Sequence, residues 1–442
     1  MEREEANARP LGLIHVAAVV VGAIIGVGIF FTPATLARQL PSPTWLLGIW
    51  LLGGAASAAG ALVFAELSGR YPRQGGIYVF LREGFGPRAG PPLAFVYGWQ
   101  QLFAVVPCSM AIIALVLMDH LAYFTGPIAP FARSAGAIAA IATFTAANLL
   151  GLRTGGRIQV GVASLKIAAL ALLIAVGVGW GSSRLLFSMP QQRHATGGPL
   201  AWLVIGLVPV LFTFGGFQHG TFVAGSVKDA ERAVPRGILA GVAVVLVGYL
   251  GVNVALLALL GQERLGASAS PAADAVTVAL GPLAGSAIAA AIVVSAAGIL
   301  NTLALSFPFV LHAMAKDGAF FARAAELSPR TGRPALAVAL QGGWACLAVL
   351  VGADDIGKLL TGIAFADWTF HAAVSIVLLL VRGTPAPNVL RAPLAAIISF
   401  LLIALFVAFG TLVATPRESA YGAAVLLSGL LVWWLRRPNE RR

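Results

Sequence analysis

The stretch Gly22-Ala23-Ile24-Ile25-Gly26-Val27-Gly28-Ile29-Phe30 lies inside an apolar run over residues 12–36 and places glycine at three of its nine positions. Each glycine weakens a helix by about 1 kcal/mol relative to alanine, so a run long enough to cross a bilayer is predicted to open at its centre. A second stretch, Phe212-Thr213-Phe214-Gly215-Gly216-Phe217-Gln218, interrupts the run over 200–224 in the same way. The two interruptions fall five spans apart, and an odd number of spans per half inverts the second half relative to the first.

The rest of the chain supplies those spans. Of 442 residues, 59% are hydrophobic and only 10% are charged, against roughly a quarter charged in soluble proteins. At about 20 apolar residues per crossing helix, this content suffices for about a dozen. Apolar runs fall near 12–36, 44–67, 91–118, 134–150, 158–180, 200–224, 236–260, 281–313, 334–352, 356–381, 393–414 and 419–435. The expected fold is therefore an all-α polytopic membrane protein with 12 transmembrane helices. A five-plus-five inverted repeat would place helices 1–5 in residues 11–180 and helices 6–10 in residues 200–381. Helices 1 and 6 are broken, and helices 11 and 12 (393–435) complete a single domain over 1–442.

The formal charge of +12 would suggest nucleic acid in a soluble protein, but these basic residues sit singly between apolar runs. With twelve spans, 21 of the 29 Lys and Arg lie on the side of the termini and 7 on the other, with Lys166 inside a span. That bias predicts cytoplasmic N- and C-termini in the cell inner membrane. No GxxxxGK[ST] phosphate loop occurs and no loop holds an ATPase domain, so any movement of a solute is expected to run on gradients or exchange. Cys108 and Cys346 lie within apolar runs and read as buried thiols. No metal site, cofactor or nucleic-acid partner is expected. The acidic start Met1-Glu2-Arg3-Glu4-Glu5, with no A-x-A site after the run, does not read as a cleaved signal peptide.

Glycine-interrupted spans in corresponding positions of two halves point to a transporter's midplane binding site; the competing reading is close packing through small-residue faces. An opened first span frees N–H groups around Gly26, Val27 and Gly28 beside the positive end of a half-helix dipole, which suits a carboxylate. Freed carbonyls around Phe214, Gly215 and Gly216 suit an ammonium. Together they match the two ends of a zwitterionic amino acid.

These stretches carry a resemblance. Gly26-Val27-Gly28-Ile29-Phe30, Phe64-Ala65-Glu66-Leu67, Tyr71-Pro72-Arg73-Gln74-Gly75-Gly76-Ile77-Tyr78, Phe85-Gly86-Pro87 and Tyr97-Gly98-Trp99 resemble the amino acid, polyamine and organocation superfamily. So do Lys228-Asp229-Ala230-Glu231-Arg232-Ala233-Val234-Pro235-Arg236, Ala313-Met314-Ala315-Lys316-Asp317-Gly318 and Ser328-Pro329-Arg330-Thr331-Gly332-Arg333-Pro334. The similarity runs from about Leu11 to Arg437 and is greatest to the L-amino acid transporter branch and its bacterial relatives, the amino acid permeases. It implies alternating access, with an amino acid held between spans one and six by Ile25, Gly26, Val27, Gly28, Phe214, Gly215, Gly216 and Phe217. It also implies an aromatic gate at Phe214 or Phe217, and Lys166 standing in for a sodium ion that bridges spans one, five and eight. The chain departs from the family pattern at Val27, where a small hydroxyl residue is common. Gly225 and Ser226 replace acidic residues, and Phe309 replaces an arginine.

Few ionisable residues remain inside the runs. Lys166 lies about eight residues into its span, roughly 12 Å deep at 1.5 Å per residue, and either faces the bundle interior or snorkels. As a fixed cation it would give an exchanger; as a group that releases a proton, a symporter. Asp367 and His371, four apart, share one face of span ten and read either as a proton relay or as a satisfied packing pair. His219 reads as a site residue or a structural one. Glu66 is expected to pair with Arg70 or Arg73, and residues 74–83 as a short interfacial helix or a surface loop. The leading expectation is an amino acid carrier in a lipid bilayer, with protons as the alternative to exchange. The runner-up, a polyamine or cationic amine carrier, lacks an acid at either break. An enzyme or sensor lacks a catalytic set or an output domain. Gly215, Gly216 and Val27 leave room, and Phe214, Phe217 and Trp99 offer an apolar wall, so small neutral or apolar side chains are the expected cargo.

Overall fold

The computed structural model describes residues 11–26, 28–150, 152–186, 198–268, 270–352, 356–384 and 389–436. Apart from one backbone bridge between Leu11 and Val227, the described residues form helices and connections, with no strand. That is the outcome a bilayer demands, because only a helix or a closed barrel satisfies its own backbone there.

In chain order the helices begin with α1 (Leu13–Ile24), α2 (Gly28–Gln39), α3 (Pro43–Arg70), α4 (Ile77–Gly84), α5 (Gly86–Gln100) and α6 (Val106–Thr125). Next come α7 (Pro130–Leu149), α8 (Leu152–Trp180), α9 (Ser183–Leu186), α10 (Pro199–Phe214), α11 (His219–Phe222) and α12 (Ala230–Ala267). The chain ends with α13 (Pro271–Leu280), α14 (Pro282–Ser306), α15 (Pro308–Lys316), α16 (Ala335–Gly352), α17 (Ile356–Val381), α18 (Leu394–Ala414) and α19 (Pro416–Arg436). Among the described residues, ten helices or helix pairs are long and apolar enough to cross a membrane. The runs expected as spans four and nine are helical too, as α7 of 20 residues and α16 of 18, but stand outside that ten.

Both glycine-rich stretches interrupt their helices: α1 gives way to α2, and α10 to α11. Val27 lies outside the described residues. Two further breaks fall inside expected runs. The third span changes register through a π-helical turn, Gln101–Val105, between α5 and α6. The eighth divides at Phe307, where Pro308 has no N–H to continue the ladder. The seventh helix continues past residue 260, where its expected run ends, through a bend at Gly261, whose φ of 70° is outside the helical region, and is followed by the additional helix α13. Of residues 74–83, expected as an interfacial helix or a surface loop, those from Ile77 onward belong to α4, with Ile77 through Leu81 buried.

The packing centres on α3 and α12, which lie against each other. Helix α1 packs on α12 and α10 on α3; α6 packs on α14, and α7 on α16. Helix α8 touches α1, α12 and α14. By contrast, only 17% of the spanning window of α19 is buried, against 71% for α1–α2, so the last spans form the periphery. Large apolar side chains such as Phe131, Val247 and Phe409 point outward, as hydrocarbon solvent allows, while buried polar groups face inward.

One buried charge is structural. Arg333, fully enclosed, donates to Asn148 O at 3.1 Å, Leu305 O at 2.9 Å and Ala304 O at 2.7 Å. These are orphan carbonyls at the ends of α7 and α14. Its guanidinium lies 5.2 Å from the centroid of Phe309, the aromatic ring that departs from the family pattern. Arg333→Met is expected to cost about 3 kcal/mol or more, since three charge-assisted acceptors lose their donor, and thermal denaturation in detergent would read it as a lowered melting temperature.

Candidate functional site

The two breaks face each other. Gly216, at φ 127°, turns the chain after α10 and brings it against α1, where a Cβ on Gly216 would lie 2.8 Å from the carbonyl carbon of Ala23. On the other flank a Cβ on Gly28 would meet Thr213 Oγ1 at 2.9 Å. The Thr213 and Thr32 hydroxyls, 3.0 Å apart, tie α10 to α2. The glycines are thus required by approach of the two spans as well as by the breaks themselves.

Breaking α1 orphans its last carbonyls, and three side chains from three other spans collect them. Lys166 Nζ donates to Gly22 O at 2.9 Å and Ile25 O at 2.6 Å. Tyr249 Oη donates to Ile24 O at 2.7 Å, and Ser295 Oγ to Ile25 O at 3.3 Å. Lys166 is 2% exposed, so it does not snorkel. An ammonium at the negative end of a half-helix is the favourable sign of charge. Helix α2 begins at Gly28 on the opposite side of the break, presenting N–H groups whose partners in a continuous helix would be carbonyls of α1.

Between the breaks is a cavity of about 220 Å³. Gly26, Gly28, Gly215, Gly216 and Phe217 line it, as do Asp367, His371 and His219. Ile25 and Phe214 do not. The Ile25 carbonyl is turned to Lys166, and Phe214 packs away from the cavity with Trp50 and Tyr249, at centroid distances of 5.8 and 5.0 Å. Lys166 stands behind the break rather than in the cavity. Trp99, expected in the apolar wall, instead stacks on Phe95 and donates to Ser428 on α19; Trp368 occupies the wall. Sequence reading missed Gln101 and Ser109, which α5–α6 bring to the lining through the π-helical turn. A run of apolar residues gives no sign of a π turn, so only the rarity of glutamine in a span could have flagged Gln101.

The cavity reaches Phe31 and Val116 on one side of the breaks and His219 and Phe222 on the other. On the Leu11 side the spans are held together by side-chain and backbone contacts. There Phe217 packs edge-on against Phe64 at 5.2 Å and Phe400 at 6.0 Å, and His219 Nδ1 bonds Ser306 Oγ at 2.7 Å. Further out, Leu11 N–H donates to Ser226 O at 3.2 Å, and Gln74 Nε2 to Ser226 Oγ at 2.8 Å. Arg82 pairs with Asp317, and burial together with that carboxylate pushes the Tyr78 phenol well up. Glu66 pairs with Arg70 at 2.7 Å and accepts the Ala392 N–H at 2.8 Å, fixing α3 to the start of α18; Arg73 pairs with Glu83 instead.

A polytopic helical bundle with two broken spans enclosing a midplane cavity defines a membrane transporter, with its solute bound by opened backbone. The amino acid permease family model matches residues 11–435, and the chain belongs to that family. It is similar to the serine/threonine exchanger SteT of Bacillus subtilis, with 28% identity covering 96% of each chain. The b(0,+)-type amino acid transporter 1 of Mus musculus is 26% identical, over 97% of this chain and 88% of the relative. The Asc-type amino acid transporter 1 of Homo sapiens is 24% identical, over 98% and 84%. Family and relatives are transporters, and the chain is a multi-pass membrane carrier, not an enzyme.

Proposed function

We propose that this protein carries amino acids by alternating access, without sodium, and that its working mode is exchange. The observation that carries this reading is the facing pair of breaks. The first N–H groups of α2 suit the substrate carboxylate, and carbonyls freed at the end of α10 suit its ammonium. In this reading Lys166 is a resident cation: its Nζ holds Gly22 O and Ile25 O, bridging α8 to α1, while Ser295 of α14 shares the Ile25 carbonyl. A carrier with a built-in cation there has no need of a metal ion to close the same gap. Phe217 is the inner gate, opening when its contacts with Phe64 and Phe400 part.

The reciprocal packing supports the inverted repeat as well. If span one corresponds to six and two to seven, then α1 on α12 is the counterpart of α10 on α3, and α3 on α12 is its own counterpart. The pairs α6–α14 and α7–α16 likewise join spans five apart. With α7 and α16 as spans the count is twelve, and the 21-to-7 charge bias sets the termini in the cytoplasm of an inner membrane.

The test is purified protein in liposomes. Counterflow of labelled amino acid that requires internal substrate and ignores sodium is expected. Accumulation driven by an inward proton gradient into empty liposomes would replace exchange by proton symport, and the Asp367–His371 pair would then be the relay to examine. No flux of any amino acid would reject the reading altogether.

A further inference from the structure

Among the described residues, the cavity wall holds a carboxylate with no Lys or Arg partner. Asp367 enters from α17, its side chain 20% exposed, and Oδ1 accepts from Gln101 Nε2 at 2.9 Å. The other oxygen, Oδ2, has His371 Nδ1 at 3.8 Å, beyond hydrogen-bond length, and that nitrogen already bonds Asp367 O at 3.0 Å. Among the described residues, no Lys or Arg comes within 4.0 Å of the carboxylate, and none lines the cavity. Lys166 turns its ammonium to the carbonyls of α1. Neither break carries an acid, but in the fold one reaches the site from span ten.

The support for this carboxylate is built, not incidental. Gln101 opens the π-helical turn, and π turns within α-helices concentrate at functional sites. The turn aligns Gln101, Val105 and Ser109 along the same wall. Gln101 fixes one oxygen and the other has no hydrogen-bond donor among the described residues, while apolar side chains such as Ile112, Ile113 and Trp368 line the same cavity. An acid without a Lys or Arg partner among apolar groups is costly in a bilayer and marks a functional position. Low-dielectric walls also strengthen its attraction for a cation.

We propose that Asp367, positioned by Gln101, reads the substrate side chain and selects amino acids that end in a cation, of the lysine, ornithine or arginine kind. The proposal rests on the placement of the substrate's α-carboxylate and α-ammonium at the two breaks, which leaves the side chain to reach span ten. It replaces the expectation of small neutral or apolar cargo with a class that neutralises the wall.

The experiment compares kcat/KM for counterflow of L-lysine, L-ornithine and L-alanine in liposomes holding wild-type protein, Asp367→Asn or Gln101→Leu. Wild type should prefer the cationic amino acids. Asp367→Asn keeps size and hydrogen bonding to Gln101, and should lower the cationic-to-neutral ratio at least tenfold, through KM. Gln101→Leu should lower it less, in the same direction. A wild-type protein that exchanges only neutral amino acids overturns the inference while leaving amino acid transport standing. An unchanged ratio in Asp367→Asn also overturns it, as does loss of proton-driven accumulation with the ratio intact. Absence of all amino acid exchange in the wild type overturns the proposed function itself, and this inference with it.

Discussion

Lys166→Ala is expected to abolish amino acid counterflow while the protein still inserts and purifies as a monodisperse species. The lysine is the donor to Gly22 O and shares Ile25 O with Ser295. Each buried acceptor left without a partner costs about 1–3 kcal/mol, and here the loss falls on the end of α1 that forms the site. The expected consequences are a lowered melting temperature and a break that no longer holds its geometry. Since positioning errors near 1 Å can cost a bound-state process a factor of 100, flux should fall below detection. Lys166→Arg retains the charge but carries a planar, longer group into a site closed by Gly298, where a Cβ would already lie 3.1 Å from Lys166 Cε. It should rescue poorly. Undiminished flux in well-folded Lys166→Ala would remove the lysine from the mechanism.

Gly216→Ala is expected to have an effect of similar size by a different route. At φ 127° an L-residue is strained, at about 1–3 kcal/mol, and the added Cβ would lie 2.8 Å from the carbonyl carbon and 3.0 Å from both Cβ and O of Ala23. Backbone cannot rotate aside as a flexible side chain can. Spans one and six must therefore separate, and the cavity between them changes shape. Transport should be lost. Gly343→Ala, where nothing lies within 4 Å of the new Cβ, is the matching control and should transport normally. Equal flux in the two variants would show that close approach at Gly216 is dispensable.

Much of this architecture was legible in the sequence because its causes are local. Apolar run lengths mark spans, and clustered glycines mark openings whatever packs around them. The four-residue spacing of Asp367 and His371 fixes a shared helix face. What escaped was set by contacts between distant segments. Which of Phe214 and Phe217 turns to the cavity depends on Trp50 and Tyr249, which claim Phe214, and on Phe64 and Phe400, which meet Phe217. Arg333 counts as a loop cation until α7 and α14 end on either side of it. Helix α13, of 10 residues, follows the bend at Gly261 and is too short to read as a span.

The π-helical turn has a consequence for how the third span tolerates change. An α-helix advances about 100° per residue, so the one residue by which a π turn exceeds an α turn sets the angular phase of everything beyond it. Deleting one residue between Gln101 and Val105 would let the span relax to regular helix. It would also rotate Ser109, Ile112, Ile113 and Val116 by about a quarter-turn away from the wall they now form. Substitutions here change one contact, whereas a single-residue deletion re-phases half a span. The length of this short segment, more than its composition, keeps the second half of the third span turned to the cavity.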